Sequence, residues 1–452
     1  MKLTDLNPHG GIGANCLLVE LGPFRFLIDA GIHPKKVGRE TLPDFDKLAP
    51  NSIDALILTH CHLDHLGAVP VALRHQPEAM IILSRPTQEL AIRMLRNSCN
   101  VMKRQRDEQR IPEYPLYSFS ELDRLEPIMF ALPYGHTRTF AKGGEEVQVT
   151  LYASGHIVGA AAVKLTYKHR SIFFTGDVLF SDQKTLPGAA FPNETFDTLV
   201  METTRGLTRR TGENRREEEV SRLLQTVART LEKGGSVLIP AFALGRMQEI
   251  LALLDEALAK GVIPKAPVIC SGLGLDLVDY FDAIARKLGA VNFRRTVLKR
   301  LGVQSLKRFP DPGKSPSKPT IYVVSSGMLV ENTPSYAVAA SLLGNPHNAL
   351  CFVGYCDPDT PGGKLLETTH ESSFVFDALD YVTPVRAAIE RFDLSGHADR
   401  EELLEFAHRC EPRAIVLTHG DPDARAWFRE QLEMDENAYQ VTDPEPGTCY
   451  TV

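Results

Sequence analysis

The feature that most constrains this chain is the hexapeptide His60-Cys61-His62-Leu63-Asp64-His65, which follows directly on the apolar run 55–59 (ALILT). An uninterrupted run of that kind reads as a strand buried on both faces, as inside a layered α/β protein. Polar residues at the end of such a strand lie where these sheets place their sites. Four side chains here carry nitrogen or oxygen donors within six positions. Imidazole and carboxylate are the donors that zinc accepts at about 2.0–2.2 Å. In an extended segment, alternation at 60, 62 and 64 turns three donors to one side. His65 then stands where the chain enters a helix, within reach of a second ion. A lone His-x-His is ordinarily a surface pair; this density at a buried strand's end implies a metal site. Cys61 would point to the opposite face and is read as a packed thiol.

Three further places repeat the arrangement. Gly155-His156, Gly176-Asp177 after the run 171–175 (SIFFT), and Thr418-His419-Gly420 after AIVL each put a donor beside glycine at the end of a strand-like run. Taken together, His60, His62, Asp64, His65, His156, Asp177 and His419 supply seven donors, enough for two sites that share a carboxylate. Ions ~3.5–4 Å apart can act jointly on an electrophilic centre at neutral pH. Asp29, closing the run 24–29, either orients a ligating histidine or is a turn aspartate before Gly31.

The first half of the chain reads as strands and turns, with runs 16–20 and 24–29 split by Gly22-Pro23. From about Thr211 helices and strands alternate: a helix over 217–233, a strand SVLIP, a helix over 245–260, a strand at 268–270, a helix over 276–288 and a strand at 321–324. That alternation predicts a parallel-sheet domain with its own core. The segment 311–319 (DPGKSPSKP) reads as a loop. The closing segment returns to strand-ended polar motifs, LSGHAD and AIVLTHG. One domain is therefore expected over 1–205 and 381–452, interrupted by a second over 206–380, for an α/β protein.

Charge and cysteine usage bound the partners. The net charge of −7 offers no overall basic surface, so contact with phosphates must rest on local clusters. Three exist: Arg205, Arg209, Arg210, Arg215 and Arg216; Arg93, Arg96, Lys103, Arg104, Arg106 and Arg110; and Arg294, Arg295, Lys299 and Arg300. The eight cysteines form no C-x-x-C pair, which fits a reducing cytoplasm. No apolar run approaches the ~20 residues of a membrane span, and MKLTDLNPHGG is not read as a signal peptide. A homodimer is left open.

These residues resemble the metallo-β-lactamase superfamily, and the rest of the chain is similar to its β-CASP group. That group includes the nuclease subunit of the mRNA 3′-end cleavage factor, bacterial ribonuclease J and the Artemis-like DNA nucleases. Glu202 in METTRG resembles motif A of the group, His397 in DLSGHADREEL motif B, and His419 in VLTHG motif C. IPAFALGRMQEIL from Ile239 and SSGML at 325–329 resemble two further segments. The resemblance implies an αββα sandwich with an inserted α/β β-CASP domain. It implies one zinc held by His60, His62 and His156, a second by Asp64, His65 and His419, and Asp177 between them; manganese or iron could substitute. Asp64, His397 and Glu202 form the implied catalytic set, with His397 paired to Glu202 and facing the leaving group. On the residues alone, a helix-capping role for His397 stands beside that one, since Ser395 and Asp399 are near.

Arg246, behind the IPAFAL strand at a helix start, and Ser326 of SSGML are the candidate substrate-binding residues. Histidine at motif C favours RNA over DNA, so the implied activity is two-metal hydrolysis of phosphodiester bonds in single-stranded RNA, endonucleolytic or exonucleolytic. An ester or thioester hydrolase and a non-catalytic scaffold subunit are the alternatives. The chain departs from the group's pattern at Arg205, where an aromatic is common, after Met328, and at Thr360-Pro-Gly-Gly-Lys364.

Overall fold

Strands that read as continuous apolar runs lie between two layers. The computed structural model describes residues 1–209, 215–437 and 439–452; Arg210 and the expected texture change at Thr211 lie outside the described residues. The chain divides into two compact units: Met1–Asp182 with Pro187–Arg210 and His397–Val452, and Gln183–Leu186 with Thr211–Gly396.

The first unit holds two seven-stranded sheets. One runs Cys449–Thr451, Lys2–Asp5, Leu17–Leu21, Phe24–Ile28, Ala55–Ile57, Met80–Leu83, Met129–Ala131. The other runs Gln440–Thr442, Ala414–Thr418, Thr198–Glu202, Arg170–Phe174, Ala161–Tyr167, Glu145–Ala153, Thr137–Lys142. Their facing sides share one core, with Val19, Phe26 and Ile57 against Val149, Val163, Phe174 and Val416. Phe173, Leu199, Met201, Ile415 and Leu417 point the other way, onto Leu403 and Phe406 of helix Arg400–Cys410 and Phe428 and Leu432 of helix Pro422–Glu433. Because successive side chains alternate faces, a strand covered on both sides must be apolar throughout, which is why SIFFT and AIVL read as runs. On the outer side of the first sheet, helix Arg85–Gln109 packs along strand Met129–Ala131.

That helix, 25 residues long, corrects the reading of the first half as strands and turns. Its inward residues, Leu90, Ala91, Met94, Leu95, Ser98, Cys99 and Met102, recur with helical period. The basic residues between them look like a charge run when periodicity is not counted.

The second unit is a six-stranded sheet in the order Val303–Ser305, Val268–Cys270, Ile321–Val324, Val237–Pro240, Ala349–Phe352, Ala388–Arg391, with every pairing parallel. Ala388–Arg391 belongs to this sheet, so its hydrogen bonds carry the chain in the inserted unit past the expected return at 381 to Gly396. The helix expected over 276–288 begins earlier, as Gly272–Leu288. Gly274 discourages a helix by propensity, but a side chain there would run into Met247 Sδ at 2.1 Å; glycine lets this helix approach helix Arg246–Ala259. Among the described residues no helix is long and apolar enough to cross a membrane.

Phe173 is fully buried and stacks on Phe196 at 4.4 Å. Phe173→Ala is expected to cost about 3–5 kcal/mol of stability, read as a lower denaturant midpoint.

Candidate metal centre

Parallel pairing brings the donors to one edge of each sheet. Phe174 pairs with Val200 and Glu202 with Thr418, so Asp177, Glu202 and His419 leave neighbouring strands at the same end. In the other sheet Ile28 pairs with Ile57, which sets Asp29 beside the segment leading to His60. Loops beyond the carboxyl ends of parallel strands are where open α/β sheets bind ligands.

The hexapeptide does not stay extended throughout. His62 has extended backbone torsions and precedes the one-turn helix Leu63–Leu66. Asp64 and His65 therefore rise from a helical turn, and the expected alternation through 64 stops at His62. This break sends the donors two ways. His60, His62, His156 and Asp177 bring ligand atoms within 4.8 Å of one another, and so do Asp64, His65 and His419. Asp177 stands between the sets. Its Oδ2 lies 3.6 Å from both His60 Nε2 and His156 Nε2, and its Oδ1 lies 3.4 Å from both His65 Nε2 and His419 Nδ1. Asp64 Oδ2 lies 3.3 Å from His419 Nε2 and 3.6 Å from His65 Nε2.

Burial and mutual charge set the protonation of these groups. Burial, then the adjacent His65, holds His60 well below the usual histidine range, leaving it neutral with a free lone pair. Burial also opposes charge on His65, but Asp177, Asp29 and Asp64 outweigh it and hold that histidine well above its usual range. Asp64 and Asp177 stay ionised: burial opposes this, but His65 and His419 beside Asp64, and His419, His65 and His60 around Asp177, pull both below the carboxylate range. His60 Nε2 and Asp177 Oδ1 are buried with no hydrogen-bond partner among the described residues. Leaving such atoms unpaired costs ~1–3 kcal/mol each. Nitrogen and oxygen donors left open and converging are what a zinc-type cation requires, so the residues fit the metals that the resemblance implies.

The ligands are themselves held. Asp29, at φ 62°, accepts from His65 Nδ1 at 2.7 Å and from Thr59 N and Oγ1, each at 2.7 Å. It is both the turn residue and the orienting carboxylate. Asn15 Nδ2 donates to the Asp64 carbonyl at 3.0 Å and lies 3.2 Å from His65 Nε2; Thr204 Oγ1 lies 2.8 Å from His419 Nδ1. Asn15 stands outside every motif and Thr204 lies two residues after Glu202 in METTRG; sequence reasoning singled out neither. Cys61 is buried and donates to the Thr87 carbonyl at 3.3 Å, with its thiol pKa pushed up by burial.

His397 joins from the segment before helix Arg400–Cys410. The helix is capped by Asp399, whose carboxylate accepts from Glu402 N, so the capping role belongs to Asp399. His397 Nδ1 lies 2.9 and 3.0 Å from the two oxygens of Glu202, and its Nε2 lies 3.9 Å from Asp177 Oδ2. Glu202 is fully buried and takes a further bond from Val178 N at 2.6 Å.

The other candidates lie in the second unit and are committed there. Arg246 Nη1 is 3.4 Å from Gln183 Oε1; burial, with Arg216 beside it, lowers its pKa to about 9, so it remains charged at neutral pH. Ser326 Oγ accepts from Val330 N at 2.9 Å. Of the first basic cluster, Arg205 donates to the His397 carbonyl at 3.0 Å, Arg215 pairs with Asp393, and Arg216 donates to the Ser395 carbonyl at 3.0 Å.

A two-sheet sandwich with helices on its outer faces and seven converging donors defines a metal-dependent hydrolase. Comparison narrows the class. Residues 9–226 match the metallo-beta-lactamase superfamily, residues 247–365 the Beta-Casp domain, and residues 382–442 a Zn-dependent metallo-hydrolase RNA specificity domain. The chain belongs to the β-CASP group of the metallo-β-lactamase superfamily. It is 29% identical over 450 residues to transcription termination factor FttA of Pyrococcus abyssi, covering 93% of this chain and 67% of that protein. It is 25% identical over 461 residues to Integrator complex subunit 11 of Gallus gallus, covering 100% and 74%. It is 26% identical over 475 residues to endoribonuclease YSH1 of Candida glabrata, covering 99% and 59%. The chain thus spans about two thirds of the length of the curated relatives it matches. A crystal structure of a protein of unknown function from Enterococcus faecalis V583 shares the fold, with a TM-score of 0.54 at 14% identity over 100% of this chain and 99% of that one.

Removing an orienting carboxylate usually lowers metal affinity about 10–100-fold. Asp29→Ala is expected to weaken retention at the Asp64–His65–His419 group by that amount, measured by chelator competition. Gly31→Ala is expected to act on the same group, because its Cβ would fall 1.6 Å from the Asp64 carbonyl oxygen. Wild-type retention in both variants would refute this account of the second group.

Proposed function

We propose that this chain is a ribonuclease that hydrolyses phosphodiester bonds of single-stranded RNA with two metal ions. Zinc suits the donors, and manganese or iron would serve as substitutes. The observation that carries the reading is the orientation of Asp177, with one oxygen toward His60 and His156 and the other toward His65 and His419. His60, His62 and His156 hold one ion in this reading, Asp64, His65 and His419 the other, and Asp177 contributes to both. Ions bound there would supply an activated water and neutralise charge growing on the phosphate oxygens.

The chain's own residues do the remainder. Asp64, with its side chain 22% exposed against 3% for Asp177, is the carboxylate placed to take a proton from attacking water. His397 keeps Nδ1 on Glu202 and gives a proton from Nε2 to the leaving oxygen. Glu202 is a positioning residue, fixed by Val178 N. Histidine at 419, a match to an RNA specificity domain across 382–442, and a relative named as an endoribonuclease support RNA as the substrate. Seven buried, unpaired cysteines support work in a reducing cytoplasm.

Elemental analysis after zinc loading is expected to give about two ions per chain. His397→Ala should keep them and bind RNA, while RNA turnover falls by about 10²–10⁴. The loss should be smaller on a nitrophenyl phosphodiester, whose leaving group needs no proton. His419→Ala should lose metal and activity on both substrates. Equal cutting of matched DNA would overturn the RNA assignment. Turnover of small esters or thioesters with RNA left intact would favour the rival hydrolase, and bound zinc with no turnover at all would favour a scaffold.

A further inference from the structure

His397 is the first residue of the first unit after the chain leaves the second, and the segment leading into it is gripped at alternate residues. Helix Arg215–Glu232 turns Arg215, Arg216, Glu219 and Arg222 to one side. Arg222 meets the Arg391 carbonyl; Glu219 Oε2 accepts from Asp393 N at 2.6 Å while Arg215 pairs with the Asp393 carboxylate; Arg216 Nη1 donates to the Ser395 carbonyl at 3.0 Å.

Arg216 is the forked member. Its Nη2 lies 3.4 Å from Glu249 Oε1, and Glu249 is 1% exposed. That carboxylate also takes Lys184 N at 2.8 Å, Thr185 N at 2.9 Å and Thr185 Oγ1 at 2.8 Å. One guanidinium therefore ties the carbonyl two residues before His397 to a carboxylate that anchors the excursion Gln183–Leu186. A planar guanidinium suits such a two-armed role.

We propose that Arg216 is a positioning residue for His397: by holding the Ser395 carbonyl, two residues before it, it sets where the imidazole presents Nε2 to the leaving group. This rests on the general-acid role proposed above for His397. A cluster that in sequence reads as phosphate contact is, at Arg205, Arg215 and Arg216, built into the support of the segment that carries His397.

The test uses the zinc-loaded full chain, RNA, and a series of aryl phosphodiesters with progressively poorer leaving groups. Arg216→Gln is expected to keep its zinc and to lose about tenfold in RNA turnover, the scale of a modest misplacement. Its loss across the aryl series should grow as the leaving group worsens, as for His397→Ala. In a His397→Ala background it should cost nothing further. Arg216→Lys, which keeps charge beside Glu249 without the fork, should fall between, and it carries the same comparisons if the Gln variant does not fold. A loss that is uniform across the series, one that adds in full to that of His397→Ala, or a loss of zinc would overturn the inference. Wild-type protein that cleaves the aryl diesters and leaves RNA intact would remove the RNA reading alone. A flat series for His397→Ala would remove the acid role and the inference together.

Discussion

A carboxylate at 3% exposure among imidazoles on both of its oxygens is the constraint on which the structure depends. An isolated buried carboxylate would be protonated or expelled, since its effective desolvation costs several kcal/mol. Asp177 stays ionised because His419, His65 and His60 surround it. Those histidines cannot come from one stretch of chain. His60 and His65 leave the first sheet, His156, His419 and Asp177 the second. A sandwich whose two sheets end their strands at a common edge meets the requirement. The shared core of Phe26 and Ile57 against Val163 and Phe174 holds those edges at fixed separation. Packing in the core and geometry at the site are in this sense one problem, because a shift of one sheet against the other would pull Asp177 from one histidine set or the other.

What was legible in the sequence followed from how local the cause was. The seven donors stood out because they follow four strand-like apolar runs, and strand burial is written in contiguous apolar residues. The inserted parallel sheet showed through helix–strand alternation for the same reason. The supports of the ligands were not legible in this way. Asn15 and Thr204 reach Asp64 and His419 across 49 and 215 positions of chain; Asn15 has no motif around it, and METTRG around Thr204 draws notice to Glu202 without naming His419 as the partner of Thr204. Asp29 posed a choice between turn and orienter that the structure dissolves, since a left-handed turn at φ 62° is what aims its carboxylate at His65. Helix Arg85–Gln109 was obscured for a different reason: its exposed basic face outweighs, in a plain reading, the inward stripe from Leu90 to Met102.

The arginines show where composition stops informing. A guanidinium fork fits carboxylate, carbonyl and phosphate alike, so a basic cluster identifies the tool and leaves its target open. Arg205 makes the point most directly. It stands where the β-CASP pattern commonly has an aromatic, in the loop after Glu202, and that departure suggests a change in how substrate is gripped. Its Nη1 instead donates to the carbonyl of His397, the residue whose imidazole Glu202 holds through Nδ1. Motif A and motif B are thus joined twice, by a carboxylate to the ring and by an arginine to the backbone. A ring held by its nitrogen alone can still pivot about that bond; holding the peptide as well narrows the directions that Nε2 can face. The departure at 205 therefore bears on how His397 is held, and with Arg216 at Ser395 it gives the segment carrying His397 a support on each side of Gly396.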